Sequence, residues 1–453
     1  MNYDGVYRSL NIIMRKEAQI MNHTEQIFFS AGEPSGDAHA ASLIKEIKSI
    51  NPAIRCVGYG GPLMAKAGLE LQQDLTQKAV MFLGLAISQL YFYYKLYKQT
   101  QKYFAENDIK SVVLVDYPGF NWWVARAAKQ QGIPVYYFMP PQLWAWGGWR
   151  IKKMQRFVDY TFATMPFEAE WFQERGCNVI EIGHPFLEEA KHHKVDMEFV
   201  ESLKSDKQPI LTILPGSRDQ EIAHNFDDLL NIIEKVRKEA PQVRPMIAAF
   251  KQEHADVINQ KLSERGMVIP VYVGRTQELI RAAHFALAVS GSVTMELLAN
   301  HVPTVVYYKV NRIGHFVQRF FRRSRYITLV NLLGVEHFTP NSPYFSNDVK
   351  VIPAYPTGRD IDDMLFPEFL TWEDMSEDAA DSLLTWLQHP EHYQLCKEKL
   401  KILHNKLDPQ IDPFRVAADS LVKCVPIANG DRSQENEEPL EDVATSEKQD
   451  SFI

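Results

Sequence analysis

The sequence predicts an α/β protein of two doubly wound, Rossmann-like domains. Three observations predict it. Short apolar runs, Ile27 to Ser30 and Ser111 to Val115 in one half and Ile210 to Leu214 and Phe285 to Val289 in the other, end in turn-forming residues and pass at once into helix-patterned segments. Runs of this kind suit strands buried on both faces, and strand, turn and helix repeated in series build a parallel sheet. A charged, irregular segment, Glu188 to Gln208, separates two halves of similar rhythm, and 453 residues suffice for two full cores.

Residues 1–25 form an N-terminal extension without a sustained apolar core or a small-residue cleavage site, so no secretory signal is expected, and Met14 and Met21 are equally good starts. The first domain is placed at 26–187. Its opening strand runs into Ala31-Gly32-Glu33-Pro34-Ser35-Gly36-Asp37 and a helix through Ile50. The turn is not GxGxxG, which weakens a dinucleotide reading. Glu33 and Asp37 lie at a helix N-terminus, where a carboxylate either caps or serves a ligand. Gly58-Tyr59-Gly60-Gly61-Pro62 reads as a turn that lets the backbone approach something closely. Val80 to Leu96 is the most apolar stretch, but it is too short and too interrupted to span a bilayer; a buried helix or an interfacial one remains, with Tyr91, Phe92, Tyr93 and Tyr94 as an aromatic edge. The strand Ser111 to Val115 delivers Asp116 at its carboxyl end, where open α/β sheets bind ligands, so Asp116 is a catalytic candidate beside the plainer reading as a cap. Strands at Pro134 to Phe138 and Tyr160 to Thr164 follow, with Trp144 and Trp146 between them suited to a pocket or interface. His184 has no second ligand at metal spacing and reads as a hydrogen-bonded histidine at the domain junction.

The second domain, 188–374, opens with Leu214-Pro215-Gly216-Ser217-Arg218 before a helix from Asp219 to Glu239. Free backbone N–H groups at a helix start favour a phosphate, and the Arg218 fork suits the same anion. Strands at Arg244 to Phe250, Val268 to Val273 and Val302 to Tyr308 continue the pattern. After Phe285 to Val289 comes Ser290-Gly291-Ser292-Val293-Thr294-Met295-Glu296, small hydroxyl residues at a helix start with a carboxylate one turn inside, fit to hold both hydroxyls of a ribose. Two such turns in one domain suggest a nucleoside diphosphate. Lys309 to Tyr326 interleaves six basic residues with aromatics, a pattern for an anionic membrane surface or a phosphorylated amphiphile. Helices are expected over 375–428 and an acidic disordered tail over 429–453.

With 49 basic against 57 acidic residues the net charge is -8, which gives no general case for nucleic acid. Cys56, Cys177, Cys396 and Cys424 lie far apart with no CxxC, so a reduced cytoplasmic protein without structural zinc is expected.

From Ile27 to Val425 the chain resembles the lipid A disaccharide synthase family of inverting, two-domain (GT-B type) glycosyltransferases. The resemblance rests on AGEPSGD (31–37), GYGGP (58–62), DYPGFN (116–121), LWAW (143–146), GHP (183–185), LPGSR (214–218), SGSVTME (290–296), NLL (331–333) and FPEFL (366–370), in the family's order. The chain departs from the pattern in having no acid between Val80 and Leu96, Gly119 in place of a second acid, proline before the tryptophan motif and Thr371 in place of a glutamine. The resemblance implies a nucleotide-sugar site in the cleft between the domains and transfer of 2,3-diacylglucosamine from UDP-2,3-diacylglucosamine to 2,3-diacylglucosamine 1-phosphate. It implies Asp116 as base with Glu33 as competitor; Gly216, Ser217, Arg218, Ser290, Gly291, Ser292, Thr294 and Glu296 on UDP; and Ser35, Gly36, Gly60, Gly61, Asn121, Trp144 and Asn331 elsewhere on substrate. No metal or other cofactor is expected, nor nucleic acid. The cytoplasmic face of the inner membrane would be met through Val80 to Leu96 and Lys309 to Tyr326. The final helices either cross back to the first domain or exchange within a homodimer. A UDP-sugar 2-epimerase and a non-catalytic lipid-binding scaffold are the other classes the fold could serve.

Overall fold

The computed structural model describes residues 25–76, 86–145, 147–192, 194–312, 326–334, 364–407 and 412–423, without the side chains of 86–90 and 192. The N-terminal extension, Trp146, the acidic tail and parts of the two proposed membrane stretches (80–85 and 313–325) lie outside the described residues.

Thirteen strands form two sheets among the described residues. The first holds β1 (Gln26–Ala31), β2 (Arg55–Gly60), β3 (Leu69–Asp74), β4 (Ile109–Val115), β5 (Val135–Phe138), β6 (Tyr160–Ala163) and β7 (Val179–Glu181), all parallel, in the order β3-β2-β1-β4-β5-β6-β7. The second holds β8 (Ile210–Leu214), β9 (Arg244–Ala249), β10 (Val271–Val273), β11 (Phe285–Ala288), β12 (Thr304–Lys309) and β13 (Glu368–Thr371), also parallel, in the order β10-β9-β8-β11-β12-β13. In each sheet the chain reverses its direction of travel once, between β1 and β4 and between β8 and β11. The crevice outside the carboxyl ends of such a pair is where doubly wound folds bind ligands.

Residues alternate between the two faces with a period of two. Phe28, Val112, Leu114 and Tyr137 enter one apolar core, and Ile27, Phe29, Val113 and Tyr136 enter the other. The second sheet divides Leu211 and Ile213 from Ile210 and Leu214 in the same way. The helix Pro413–Lys423 returns to the first domain. Its Phe414, Ala417, Ala418 and Leu421, one stripe at helical spacing, join the core of β1 and the helix Pro34–Ile50, and Lys110 Nζ donates to the Val422 carbonyl at 3.0 Å.

Three expectations are corrected. Gly58 and Gly60 belong to the strand β2. At φ +136°, Gly58 admits no side chain because a Cβ would stand 2.1 Å from the Phe29 carbonyl oxygen of the neighbouring strand. The edge strand β3 was not expected, since Leu-Glu-Leu-Gln-Gln-Asp carries little apolar signal. Nor was a strand placed at the FPEFL motif, whose Glu368 opens β13. The apolar stretch does end in a helix, Ala86–Glu106, and it splits its aromatics: Phe92 and Tyr93 pack on the core, while Tyr91 and Tyr94 are 70% and 48% exposed.

Candidate active site

The β1 and β4 ends pair Ala31 with Val115, so Gly32, Glu33 and Asp116 emerge side by side. Asp116 and Tyr117 are both left-handed, with φ of 45° and 46°. Side chains other than glycine rarely take that conformation, and it persists only where the surroundings over-determine it. Here they do. The Asp116 carbonyl accepts from Tyr137 Oη at 2.8 Å and Asn121 Nδ2 at 2.7 Å, and Tyr117 Oη pairs with Tyr93 Oη at 2.6 Å. The Tyr117 ring lies over Gly32, where a Cβ would stand 2.3 Å from Cδ1. The second residue of AGEPSGD is thus glycine because an aromatic ring covers it.

Burial raises the Asp116 carboxyl above the usual carboxylate range, against the Tyr117 backbone N–H, His39 and Arg218, which pull it down. Glu33 is raised by burial and by Asp116, and lowered by Arg218. Both carboxylates therefore feel an arginine of the other domain, which brings the two switch points to one cleft. Glu33 starts the helix Pro34–Ile50 with no side-chain cap bond, so the capping alternative does not hold for it.

Across the cleft, the turn after β8 holds its own anion. Glu221 Oε2 accepts from the backbone N–H of Ser217 at 2.9 Å and of Arg218 at 3.2 Å, while Arg218 Nη1 donates to Oε1 at 3.4 Å. Gly216, at φ +107°, leaves room for that carboxylate, since a Cβ would meet Oε2 at 2.5 Å. The expectation that the N–H groups of Gly216 and Ser217 await a phosphate is corrected for Ser217: a glutamate three residues past the N-cap satisfies it, as in a capping box. The Arg218 side chain is 72% exposed and remains the outward donor. After β11, Ser290 is half-buried and Gly291 and Ser292 are open, whereas the buried Thr294 returns its hydroxyl to the Gly291 carbonyl at 2.8 Å. Glu296 accepts from Gln277 Nε2. Burial, offset by that bond and reinforced by Glu189, pushes its carboxyl up to about 7.

Other motif residues, among them several expected on substrate, are bonded within the frame, and Asp37 takes the capping role of its two readings. Asp37 is 2% exposed and caps a different helix from its own: Oδ1 accepts from Gly61 N at 2.9 Å and Met64 N at 3.0 Å, and Oδ2 from Leu63 N at 3.0 Å, all at the start of Pro62–Lys66. Gly60 and Gly61 are buried against Met64 and this carboxylate. Asn121 is fully buried, accepting from Ser30 Oγ at 2.7 Å while tying down the Val115 and Asp116 carbonyls. Trp144 is buried against Phe167 and donates to Glu168 at 3.3 Å. Asn331 is 2% exposed and bonds the Phe366 backbone in both directions, at 2.6 and 2.8 Å, and Glu368 at 3.0 Å, which links the NLL and FPEFL motifs to each other. Ser35 is exposed at the first turn, and Gly36 packs on the strand ends.

The structure adds residues the sequence reading missed. His39 is buried and bonds Glu189, 150 residues away, through Nδ1 at 2.9 Å. His184 lies buried at the junction, as expected, but its Nδ1 has no partner; burial and the neighbouring His39 hold it down to about 3. The spacing of His39 from Gly36 was visible in the sequence; its partner was not.

Comparison with known proteins agrees with this geometry. The family model described as lipid-A-disaccharide synthetase matches residues 27–352. The lipid-A-disaccharide synthase of Nitrosococcus oceani is 33% identical over 330 residues, covering 70% of this chain and 83% of its own. That of Geobacter sulfurreducens is 28% identical over 348 residues, covering 77% and 90%. Among solved structures, an S. aureus MnaA–UDP co-structure has a TM-score of 0.53 at 12% identity, covering 88% of this chain and 95% of that one. A UDP-N-acetylglucosamine 2-epimerase has a TM-score of 0.52 at 10% identity, covering 92% and 99%. These two share the fold. With a sequence match spanning most of its length, the chain belongs to the lipid-A-disaccharide synthetase family.

Proposed function

We propose that the chain acts as a lipid-A-disaccharide synthase, moving 2,3-diacylglucosamine from its UDP conjugate to the 6-hydroxyl of 2,3-diacylglucosamine 1-phosphate with inversion. The products are a β(1→6) disaccharide phosphate and UDP. The observation that carries the residue assignment is the facing of Asp116 and Arg218 from the switch points of opposite domains. Inversion needs a base on one face of the sugar and positive charge at the leaving group on the other.

Asp116 takes the proton of the attacking hydroxyl. Its burial brings its proton affinity closer to working pH than an exposed aspartate would have, which suits a general base. Glu33 beside it is the second carboxylate in reach and the competitor for that role. Arg218 meets the departing diphosphate, leaving Glu221 to hold the turn. Ser290, Gly291 and Ser292 line the open side of the UDP site, and Glu296 receives the ribose hydroxyls. With Arg218 supplying the charge, the reaction is expected to proceed in EDTA.

The lipid substrates call for a membrane surface. No helix among the described residues is long and apolar enough to cross one. Tyr91 and Tyr94, one turn apart on the outer face of Ala86–Glu106 and followed by Lys95 and Lys98, suit a peripheral contact at headgroup depth. Lys309 to Tyr326 is the basic partner of that contact, at the cytoplasmic face of the inner membrane.

The test is UDP release from UDP-2,3-diacylglucosamine with and without the acceptor lipid. Acceptor-dependent release with a disaccharide product, unchanged by EDTA, is expected. Release without acceptor would favour an epimerase-like or hydrolytic activity and overturn the reading.

A further inference from the structure

The second domain carries a basic cleft at the end of its sheet opposite the donor turns. Lys207 stands before β8, His284 before β11 and Val302 before β12, and all three line it together with Lys204, Arg281 and Lys397. The cleft encloses about 470 Å³, within the range of small-molecule sites. The length of β8 and the start of its turn set it roughly 15–20 Å from Gly216 and Arg218. It is no part of the site described above.

Its chemistry has one sign. Four cations line it and no carboxylate does. None of the four makes an ion pair among the described residues, and Asp206, the acid next to Lys207 in the chain, is held by Arg244 at 3.0 Å. Lys204 and Arg281 fall in the last turns of the helices Met197–Lys204 and Thr276–Ala282, where a cation offsets the helix dipole. That explains two of the charges. Lys207 lies beyond its helix, and Lys397 sits in the middle of Pro390–Leu407 with Nζ 5.5 Å from the Tyr393 ring centre, so neither serves a helix end. A fifth group is fixed to donate. His284 Nδ1 accepts from the Ile210 backbone N–H at 3.1 Å, so Nε2 of the neutral ring carries the hydrogen. The His284 N–H donates to the Ile210 carbonyl at 3.0 Å and the Tyr393 hydroxyl donates to the His284 carbonyl at 3.1 Å, which locks the residue in place. Burial and the approach of Lys397 and Lys204 hold the imidazole below its ordinary proton affinity, so it stays neutral and offers one N–H.

Like charges gathered without a counter-charge repel one another, and a multivalent anion relieves that repulsion while giving each donor an acceptor. A lone carboxylate brings two oxygens and one charge. A diphosphate brings several of each and matches four cations and an N–H. A membrane surface is the other source of phosphate, but Lys309, where the basic, aromatic stretch begins, ends β12 at the opposite end of the sheet, and Tyr91 and Tyr94 belong to the first domain. These positions favour a dissolved anion. We propose that the cleft between Lys204, Lys207, Arg281 and Lys397 is a binding site for a dissolved, diphosphate-bearing anion, separate from the donor site, with His284 Nε2 as its neutral donor.

The experiment is calorimetric titration of the full chain with inorganic pyrophosphate, in excess UDP so that the Arg218 turn is occupied, and again in Arg218→Ala, so that the result stands whether or not UDP fills that turn. One pyrophosphate is expected to bind in both. The double variant Lys207→Gln, Lys397→Gln removes two charges that make no ion pair among the described residues. It should weaken pyrophosphate on the order of tenfold or more and leave UDP affinity unchanged, which also shows that it folds. Absence of a pyrophosphate bound beside UDP, equal binding by the double variant, binding abolished in Arg218→Ala, or equal displacement by sulfate at the same ionic strength would each overturn the proposal. Vesicles of phosphatidylglycerol in phosphatidylcholine form the last arm. The double variant should bind them as wild type does; loss of vesicle binding without any pyrophosphate binding would give the cleft to a membrane surface and overturn the dissolved-anion assignment.

Discussion

Asp37→Asn isolates what the AGEPSGD motif does for stability. Wild-type Asp37 places two carboxylate oxygens on three backbone donors, the N–H groups of Gly61 and Met64 on Oδ1 and of Leu63 on Oδ2. Asparagine keeps one oxygen for the first pair and turns an amide N–H₂ toward the third donor. That loses a hydrogen bond to a charged acceptor, roughly 1.5–3 kcal/mol, and a negative charge at a helix N-terminus, about 0.3–1 kcal/mol. The expected destabilisation is about 2–4 kcal/mol. Alanine strands all three donors at a site 2% exposed and should cost more, on the order of 4 kcal/mol or above. Six of the eight tryptophans (Trp122, Trp123, Trp144, Trp146, Trp149 and Trp171) lie in the first domain, so their fluorescence in a urea titration follows the domain that holds Asp37. Wild type, Asp37→Asn and Asp37→Ala should fall in that order of midpoint. If Asp37→Asn lies within about 0.5 kcal/mol of wild type, the surface-mutation range, then the three bonds do not act as described.

Two further predictions concern the UDP side. A Glu296 carboxyl at about 7 is mostly neutral at pH 6 and mostly ionised at pH 8, and only the ionised form can accept from both ribose hydroxyls. UDP-sugar affinity should therefore weaken by about tenfold from pH 8 to pH 6, using a sugar diester because a terminal phosphate titrates in that range; Glu296→Gln should flatten the profile, and a flat wild-type profile would remove Glu296 from the ribose. Glu221→Ala removes the carboxylate from the Ser217 and Arg218 N–H groups and should destabilise the second domain by about 0.5–2 kcal/mol, as loss of a cap does. UDP should bind this variant no tighter than wild type by calorimetry, since the turn is there to be capped; tighter binding would show that the diphosphate and Glu221 compete for the same donors.

What the sequence made legible follows from locality. The runs of β1, β4, β8 and β11 are apolar and β-branched or aromatic, their turns follow within a few residues, and these suffice for two doubly wound sheets. The strand β3 escaped because an edge strand with only its first residue buried has no apolar run, and β2 because glycines in a strand look like glycines in a turn. The site divided in the same way. Asp116, Glu33 and Arg218 lie at strand ends, so their position along the chain is their position in the cleft. Asp37, Asn121 and Asn331 sit in motifs just as clear, yet their partners lie across turns or at distant positions, and burial commits them to the backbone. Motif membership alone does not distinguish a residue that touches substrate from one that holds the residue that does. The bond from His39 to Glu189 spans 150 positions and joins the first helix of the first domain to the helix Pro185–His192 at the domain boundary, beyond the reach of any local pattern.

The central claim is that Asp116 removes the proton while Arg218, from the other domain, receives the diphosphate. The direct measurement is single-turnover disaccharide formation by Asp116→Asn, a substitution that keeps size and removes the base, with donor binding measured in the same protein. The account predicts donor affinity within about threefold of wild type and chemistry slowed on the order of 10² to 10⁴-fold. Disaccharide formed at the wild-type rate would contradict it and return the role to Glu33.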